Sequence, residues 1–176
     1  MRMHAVRIPV PRAEELRADV SELLPLIAPP GREPARTMAV LARQPDLLSP
    51  FLGWAAALAL TGVLPHRDHE LLALRVASNC GSEFEWVEHA EYARAAGLAD
   101  DEIAMVARSI NEGTWSDVER ALLRVADELH NDCDVTDTTW ARLAEHYDES
   151  ALVEILFVVG QYTMLSMVAN AAGIPA

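Results

Sequence analysis

The chain reads as an all-α protein, and three features of its sequence lead there. Apolar residues recur at helical spacing behind prolines that suit a first helical turn. Two Ser-x-x-Glu sequences, Ser82 to Glu85 and Ser116 to Glu119, have the form of helix capping boxes. No segment of useful length alternates apolar with polar residues as a half-buried strand does. Hydrophobic content of 51% with 8 glycines in 176 residues suits a packed, helix-rich globule. A chain of this length hides roughly 70% of its unfolded surface on folding, so a single-domain helical bundle is expected.

Taken in order, residues 1–33 form an N-terminal arm. Pro11, Pro25, Pro29 and Pro30 allow short helical pieces around Glu14 to Leu24 and then force a break before Gly31. Residues 34–176 form the helical domain. Prolines open helices over Pro34 to Arg43 and Pro45 to Thr61, and Gly62 closes the second. Pro65 opens a third helix, which carries Glu70, Leu71, Leu74 and Val76 towards Asn79. Ser82 starts a helix over Glu83 to Ala96 that Gly97 ends, and another spans Asp101 to Arg108. Ser116 opens a long helix to about His130, and Thr139 to His146 and Glu149 to Ala172 complete the set.

A formal charge of -13 opposes binding to nucleic acid, whose recognition draws most of its affinity from Lys and Arg. It equally disfavours anionic membrane surfaces. The first eleven residues contain no continuous apolar region of the kind a secretory signal needs, so the expected location is the cytoplasm. The apolar stretches around Phe51 to Leu60 and Ile155 to Val168 are interrupted by Gly, Gln, Tyr, Thr and Ser; they read as buried helices, with no membrane span expected. Cys80 and Cys133 are too few and too far apart for a disulfide framework or a zinc-ligand spacing.

Chemistry concentrates in the stretch Asn79 to His89. Glu85 and His89 are an i, i+4 pair, so on a helix a carboxylate and an imidazole meet on one face among apolar residues. Glu70 lies in the preceding apolar segment, where a charge is costly to bury unless paired or used. The competing explanation for Glu85 is purely structural, as the distal half of a capping box with Ser82. His66, His69 and Glu70 could suggest a metal site; exposed polar residues of a first helical turn account for them, and no metal is expected. Trp86, Tyr162, Met164 and Met167 lie in apolar stripes that pack cores and can also line pockets. Gln161, Tyr162 and Asn170 are polar insertions in the last helix, and Ser82, Trp86, Gln161 and Tyr162 are the substrate-binding candidates.

These residues resemble the carboxymuconolactone decarboxylase family, whose superfamily includes the alkylhydroperoxidase D proteins. The peroxidase branch of that family carries a glutamate, eleven residues, then Cys-x-x-Cys-x-x-x-His. On this chain the glutamate falls on Glu70, the two thiol positions on Ser82 and Glu85, and the histidine on His89. The segments Arg75 to Ala77, Ala93 to Leu98, Ala121 to Leu129 and Val159 to Leu165 also read like family members. The resemblance implies a helical subunit in a homo-oligomer, commonly a trimer or hexamer. It further implies a decarboxylase-like lyase that acts on a small organic acid or lactone.

Decarboxylation, isomerisation and dehydration next to a carbonyl need an acid and a base beside a developing enolate. His89 is the expected general acid/base, with Glu85 charging or orienting it and Glu70 completing a relay. No cofactor is required if the substrate's own carbonyl accepts the electrons. The alternatives are a peroxidase that uses Cys80 as its reacting thiol, and an oligomeric binding protein without catalysis. Neither cysteine stands at the family's thiol positions, which weighs against the peroxidase.

Overall fold

Every regular element among the described residues is helical in the computed structural model, which describes residues 5–27 and 33–176. Short 3-10 turns occupy Ala13–Glu15 and Leu24–Ile27. The helices are α1 (Ala18–Leu23), α2 (Arg36–Leu41), α3 (Pro45–Leu60), α4 (His66–Asn79), α5 (Glu83–Ala95), α6 (Asp100–Val106), α7 (Asp117–Asp132), α8 (Asp137–Ala144) and α9 (Glu149–Ala172). The all-α expectation holds, with boundaries a few residues from those expected. The break expected at Pro29, Pro30 and Gly31 lies outside the described residues, as do Met1 to His4.

The chain forms two compact units. One runs from Gly62 to Met167, and the other joins the residues up to Thr61 with Val168–Pro175. In the latter, Val20, Leu24, Ala42 and Leu48 make a small core edged by Leu16, Leu23, Leu41 and Leu52. The backbone N–H groups of Arg7 and Ile8 donate to the Ala172 carbonyl at 2.8 and 3.1 Å. Helix α3 departs from the buried helix expected of so apolar a sequence. Leu48 is buried, whereas Trp54 and Leu60 are exposed, because α3 packs on α2 along one edge.

The Gly62–Met167 unit is built around α4, which packs against α5, α6 and α7. Leu71 and Leu74 of α4, Ala90 and Ala93 of α5, Ile103 and Val106 of α6 and Leu123 of α7 share one apolar cluster with Leu98 and Trp115. Helix α4 is buried continuously from His69 to Ala77, so it has no solvent face on which to place its charged side chains. Arg75 answers this with a two-pronged bond to Asp127 on α7, at 2.6 and 2.7 Å, and donates to the carbonyls of Val106 and Arg108 at 2.6 and 2.7 Å. Asn79 adds a bond to the same aspartate at 2.8 Å. One guanidinium thus ties α4 to α7 and to the end of α6.

Two further ties fix the start of α4. Glu154 of α9 accepts from the N–H groups of Val63 and Leu64 at 2.6 and 3.2 Å, and the Tyr147 hydroxyl donates to Asp68 at 2.7 Å. Helix α9 is long and apolar enough, by length and composition, to cross a membrane, which exceeds the expectation from its interrupted sequence. Within the protein, Leu152, Ile155, Val158, Val159 and Tyr162 are buried, the pattern of a core helix.

Removing one partner of a buried ion pair strands the other. Asp127→Ala should therefore cost about 3 kcal/mol, while the double change Arg75→Met with Asp127→Leu should cost less than the sum of the single changes. Urea denaturation of Asp127→Ala, of Arg75→Met and Asp127→Leu singly, and of the double change checks both expectations.

Candidate active site

A turn of three residues brings the acid–histidine cluster together. Helix α4 ends at Asn79 with Cys80 as its cap, and Gly81 adopts a left-handed backbone at φ 59°, where a Cβ would be strained. The Gly81 N–H donates to the Ser78 carbonyl at 3.1 Å and the Ser82 N–H to the Ala77 carbonyl at 2.9 Å, so the chain reverses at once and α5 packs against α4. Ser82 then caps α5, its hydroxyl accepting from the Glu85 N–H at 3.4 Å.

The box is only half made. The Ser82 N–H is already taken by Ala77, so the Glu85 carboxylate does not close it. The contrast is Ser116 and Glu119, where both bonds form, at 2.9 and 3.3 Å. Glu85 Oε1 is instead buried without a hydrogen-bond partner, an arrangement that costs stability and calls for an explanation other than capping.

Both acids meet the same imidazole. His89 Nδ1 lies 2.7 Å from Glu70 Oε2, a charge-assisted hydrogen bond between α5 and α4. His89 Nε2 faces Glu85 Oε2 at 3.7 Å, too long for a hydrogen bond. Glu70, Glu85 and His89 are 8%, 3% and 7% exposed. Burial disfavours the charged form of His89, but the Glu70 hydrogen bond and the surrounding carboxylates of Glu70, Glu85 and Glu88 outweigh it and raise the imidazole above its usual range. Burial lifts Glu85 to about 7, against the opposing pull of His89. A proton donor and acceptor matched to neutral pH is what general acid/base work requires.

The aromatic side of the cluster comes from α9. The Tyr162 ring packs edge-on against the His89 ring, with centroids 4.3 Å apart and planes at 74°, and its hydroxyl is 2.8 Å from His69 Nε2. Burial and then the Glu70 and Glu85 charges push the Tyr162 hydroxyl well above the ordinary phenol range, and burial lowers His69. Both are therefore neutral around pH 7. His69 corrects the expectation of an exposed first-turn residue: it is buried, whereas His66 is exposed. The available signal was the unbroken apolar run Leu71 to Leu74, which leaves α4 no polar face.

The other candidates divide. Gln161 is buried beside Tyr162 with its Oε1 unpartnered. Ser82 is committed to the α5 cap, and Trp86 packs against the Leu71, Leu74 and Ala93 cluster. Asn170 belongs to the other compact unit. Cys80 Sγ is 3.9 Å from His130 Nδ1, and burial raises its thiol, which disfavours a resting thiolate. Among the described residues, no group of three or more His, Cys, Asp or Glu has a metal-binding arrangement.

The pH dependence of stability tests this environment. A carboxyl at about 7 when folded, against roughly 4.3 unfolded, holds its proton more tightly in the native state. Stability must then fall as pH rises between those values, by on the order of 3 kcal/mol in all. Glu85→Gln should remove that fall, measured as unfolding free energy at pH 4.5, 6 and 8; parallel curves for the two proteins would count against a raised Glu85.

Comparison with known proteins agrees with the helical architecture. Residues 45–128 match the carboxymuconolactone decarboxylase family. No curated protein matches the chain. Among solved structures, an uncharacterised peroxidase-related protein with an alkylhydroperoxidase D core from Ralstonia eutropha is 20% identical, with a TM-score of 0.82 over 96% of this chain and 90% of its own. An uncharacterised peroxidase-related protein from Silicibacter sp. is 15% identical, with a TM-score of 0.82 over 98% and 91%. A protein of unknown function from Agrobacterium tumefaciens is 20% identical, with a TM-score of 0.69 over 74% and 90%. At such identities the likeness shows the fold alone. Residues 45–128, which carry Glu70, Glu85 and His89, are thus similar to the carboxymuconolactone decarboxylase family, and the chain as a whole has the alkylhydroperoxidase D-like fold.

Proposed function

We propose that this protein is a lyase-type enzyme that moves protons on a small organic acid or lactone, with decarboxylation, isomerisation or dehydration as its reaction. The single observation behind this is a buried imidazole set between two carboxylates, one on each ring nitrogen, at 2.7 and 3.7 Å. Glu70 orients His89 and supports its positive charge. His89 and Glu85 then share the acid and base roles, which revises the sequence-based expectation that Glu85 would be the orienting group.

In a decarboxylation, the electron pair of the breaking C–C bond enters the substrate's adjacent carbonyl to give an enolate, and carbon dioxide leaves. Protonated His89 or Glu85 then delivers a proton to the carbanionic carbon. In an isomerisation, one of the pair removes a proton and the other returns one. Burial strengthens both steps by lowering the local dielectric. Gln161, with a buried unpartnered carbonyl oxygen, is a substrate-binding candidate for a hydroxyl or amide donor.

A peroxidase that uses Cys80 is the second reading, favoured by His130 near its sulfur and by the peroxidase-related descriptions of two structural neighbours. Against it stand Ser82 and Glu85 at the family's thiol positions and the burial-raised Cys80 thiol. We also expect a homo-oligomer, a trimer or hexamer, which would cover exposed apolar residues of α9 such as Val153, Met164 and Met167.

Turnover on a panel of small lactones and oxo acids tests the assignment. Glu70→Gln, Glu85→Gln and His89→Gln should each lower it on the order of 10²-fold or more, and pairs should lose little beyond single changes because the three act as a unit. Cys80→Ser with Cys133→Ser should leave it largely intact. Peroxide consumption that disappears in the cysteine variant would transfer the protein to the peroxidase reading. Light scattering at micromolar concentration should return a multiple of 19.3 kDa; a monomer would refute the oligomer.

A further inference from the structure

The residues around His89 form a closed circuit across three helices. Glu70 on α4 holds Nδ1 of His89 on α5 at 2.7 Å, the His89 ring packs against Tyr162 on α9 at 4.3 Å, and the Tyr162 hydroxyl returns to Nε2 of His69 on α4 at 2.8 Å. His69 and Glu70 are consecutive residues, so one stretch of α4 supplies both anchors. All four side chains are buried.

The circuit matters because a single hydrogen bond does not fix an imidazole. Combined changes in its two side-chain torsions can tilt the ring about the Nδ1 bond and so swing Nε2 while Glu70 keeps its contact. A second constraint on the ring plane is needed to keep Nε2 on Glu85. Tyr162 supplies it edge-on at 74°, and Tyr92, at 5.6 Å and 58°, lies farther off. Tyr162 itself is held at both ends, by burial of its ring and by His69 at its hydroxyl.

We propose that Tyr162 and His69 are positioning residues for His89: Tyr162 sets the plane of the imidazole so that Nε2 faces Glu85, and His69 fixes Tyr162 through its hydroxyl. This rests on the role of His89 proposed above and assigns a task to His69 that the family motif does not contain. It also makes Tyr162 a wall of the site acting through His89. The groups that bear on the imidazole are then Glu70 from α4, Glu85, Glu88 and Tyr92 from α5, and Tyr162 from α9, with His69 behind it.

The test reads the ring itself. Long-range proton–nitrogen spectra of the full chain labelled with nitrogen-15 histidine report the tautomer and titration of His89, its signals identified by their absence in His89→Gln. In the wild type, once the imidazole loses its charge towards alkaline pH, one tautomer, protonated on Nδ1, should dominate. Tyr162→Phe and His69→Leu each remove the hydroxyl bond and should shift both His89 nitrogens towards averaged values, with the titration midpoint moved by about half a pH unit or more. The two changes combined should add little to either alone. His69→Gln, which can still bond the hydroxyl, should restore most of the wild-type spectrum. A role confined to packing would not be rescued in this way. Wild-type His89 signals in folded Tyr162→Phe and His69→Leu would overturn the proposal. Should His69→Leu not fold, Tyr162→Phe, which keeps the ring, decides alone. Loss of the proposed function would show separately, as unchanged turnover in His89→Gln.

Discussion

A helix that is buried from His69 to Ala77 and still carries a histidine, a glutamate and an arginine has to be surrounded by partners, and much of the Gly62–Met167 unit can be understood from that requirement. Each of the three draws its partner from a different helix: Tyr162 on α9 for His69, His89 on α5 for Glu70, Asp127 on α7 for Arg75. Apolar burial drives the helices together without much preference for direction. The polar pairs choose which face meets which, because a wrong register would leave a buried group unsatisfied.

Arg75 and Glu85 show how a saturated ion pair differs from the proposed site. Arg75 is saturated by a carboxylate and two carbonyls, an arrangement that holds helices and leaves nothing to react. On α5, Glu85 faces His89 across 3.7 Å and keeps an oxygen without a donor. At the second, burial lifts the Glu85 carboxyl to about 7.

The helices were legible because their ends are written locally. Ser116 and Glu119 form the complete box that their spacing announces, and Gly97 ends α5 with a left-handed φ of 91°. Glu85 and His89 were visible as neighbours for the same reason, since four residues on a helix is one turn. The stronger bond, between Glu70 and His89, spans 19 residues and depends on how α5 lies on α4 after the turn at Gly81. Spacing alone made Glu85 the closer acid, whereas packing gave that place to Glu70. His69 escaped notice because a residue near a helix start is usually wet, and only the burial of α4 from every side reverses this. The half-formed cap at Ser82 was equally out of reach, for its N–H was claimed by a carbonyl of the preceding helix.

An unpartnered oxygen on Glu85, in a carboxyl that burial lifts to about 7, has a meaning for anyone who would reshape this protein. Methods that rank substitutions by native-state stability reward the removal of such groups, and a methionine or leucine of similar volume would score better at position 85 than the natural residue. A thermostabilised variant obtained that way would keep its helices while discarding the group on which the proposed chemistry rests. Position 85 is therefore one to hold constant in any redesign, and its persistence through a stability-driven selection would itself report that the site is in use.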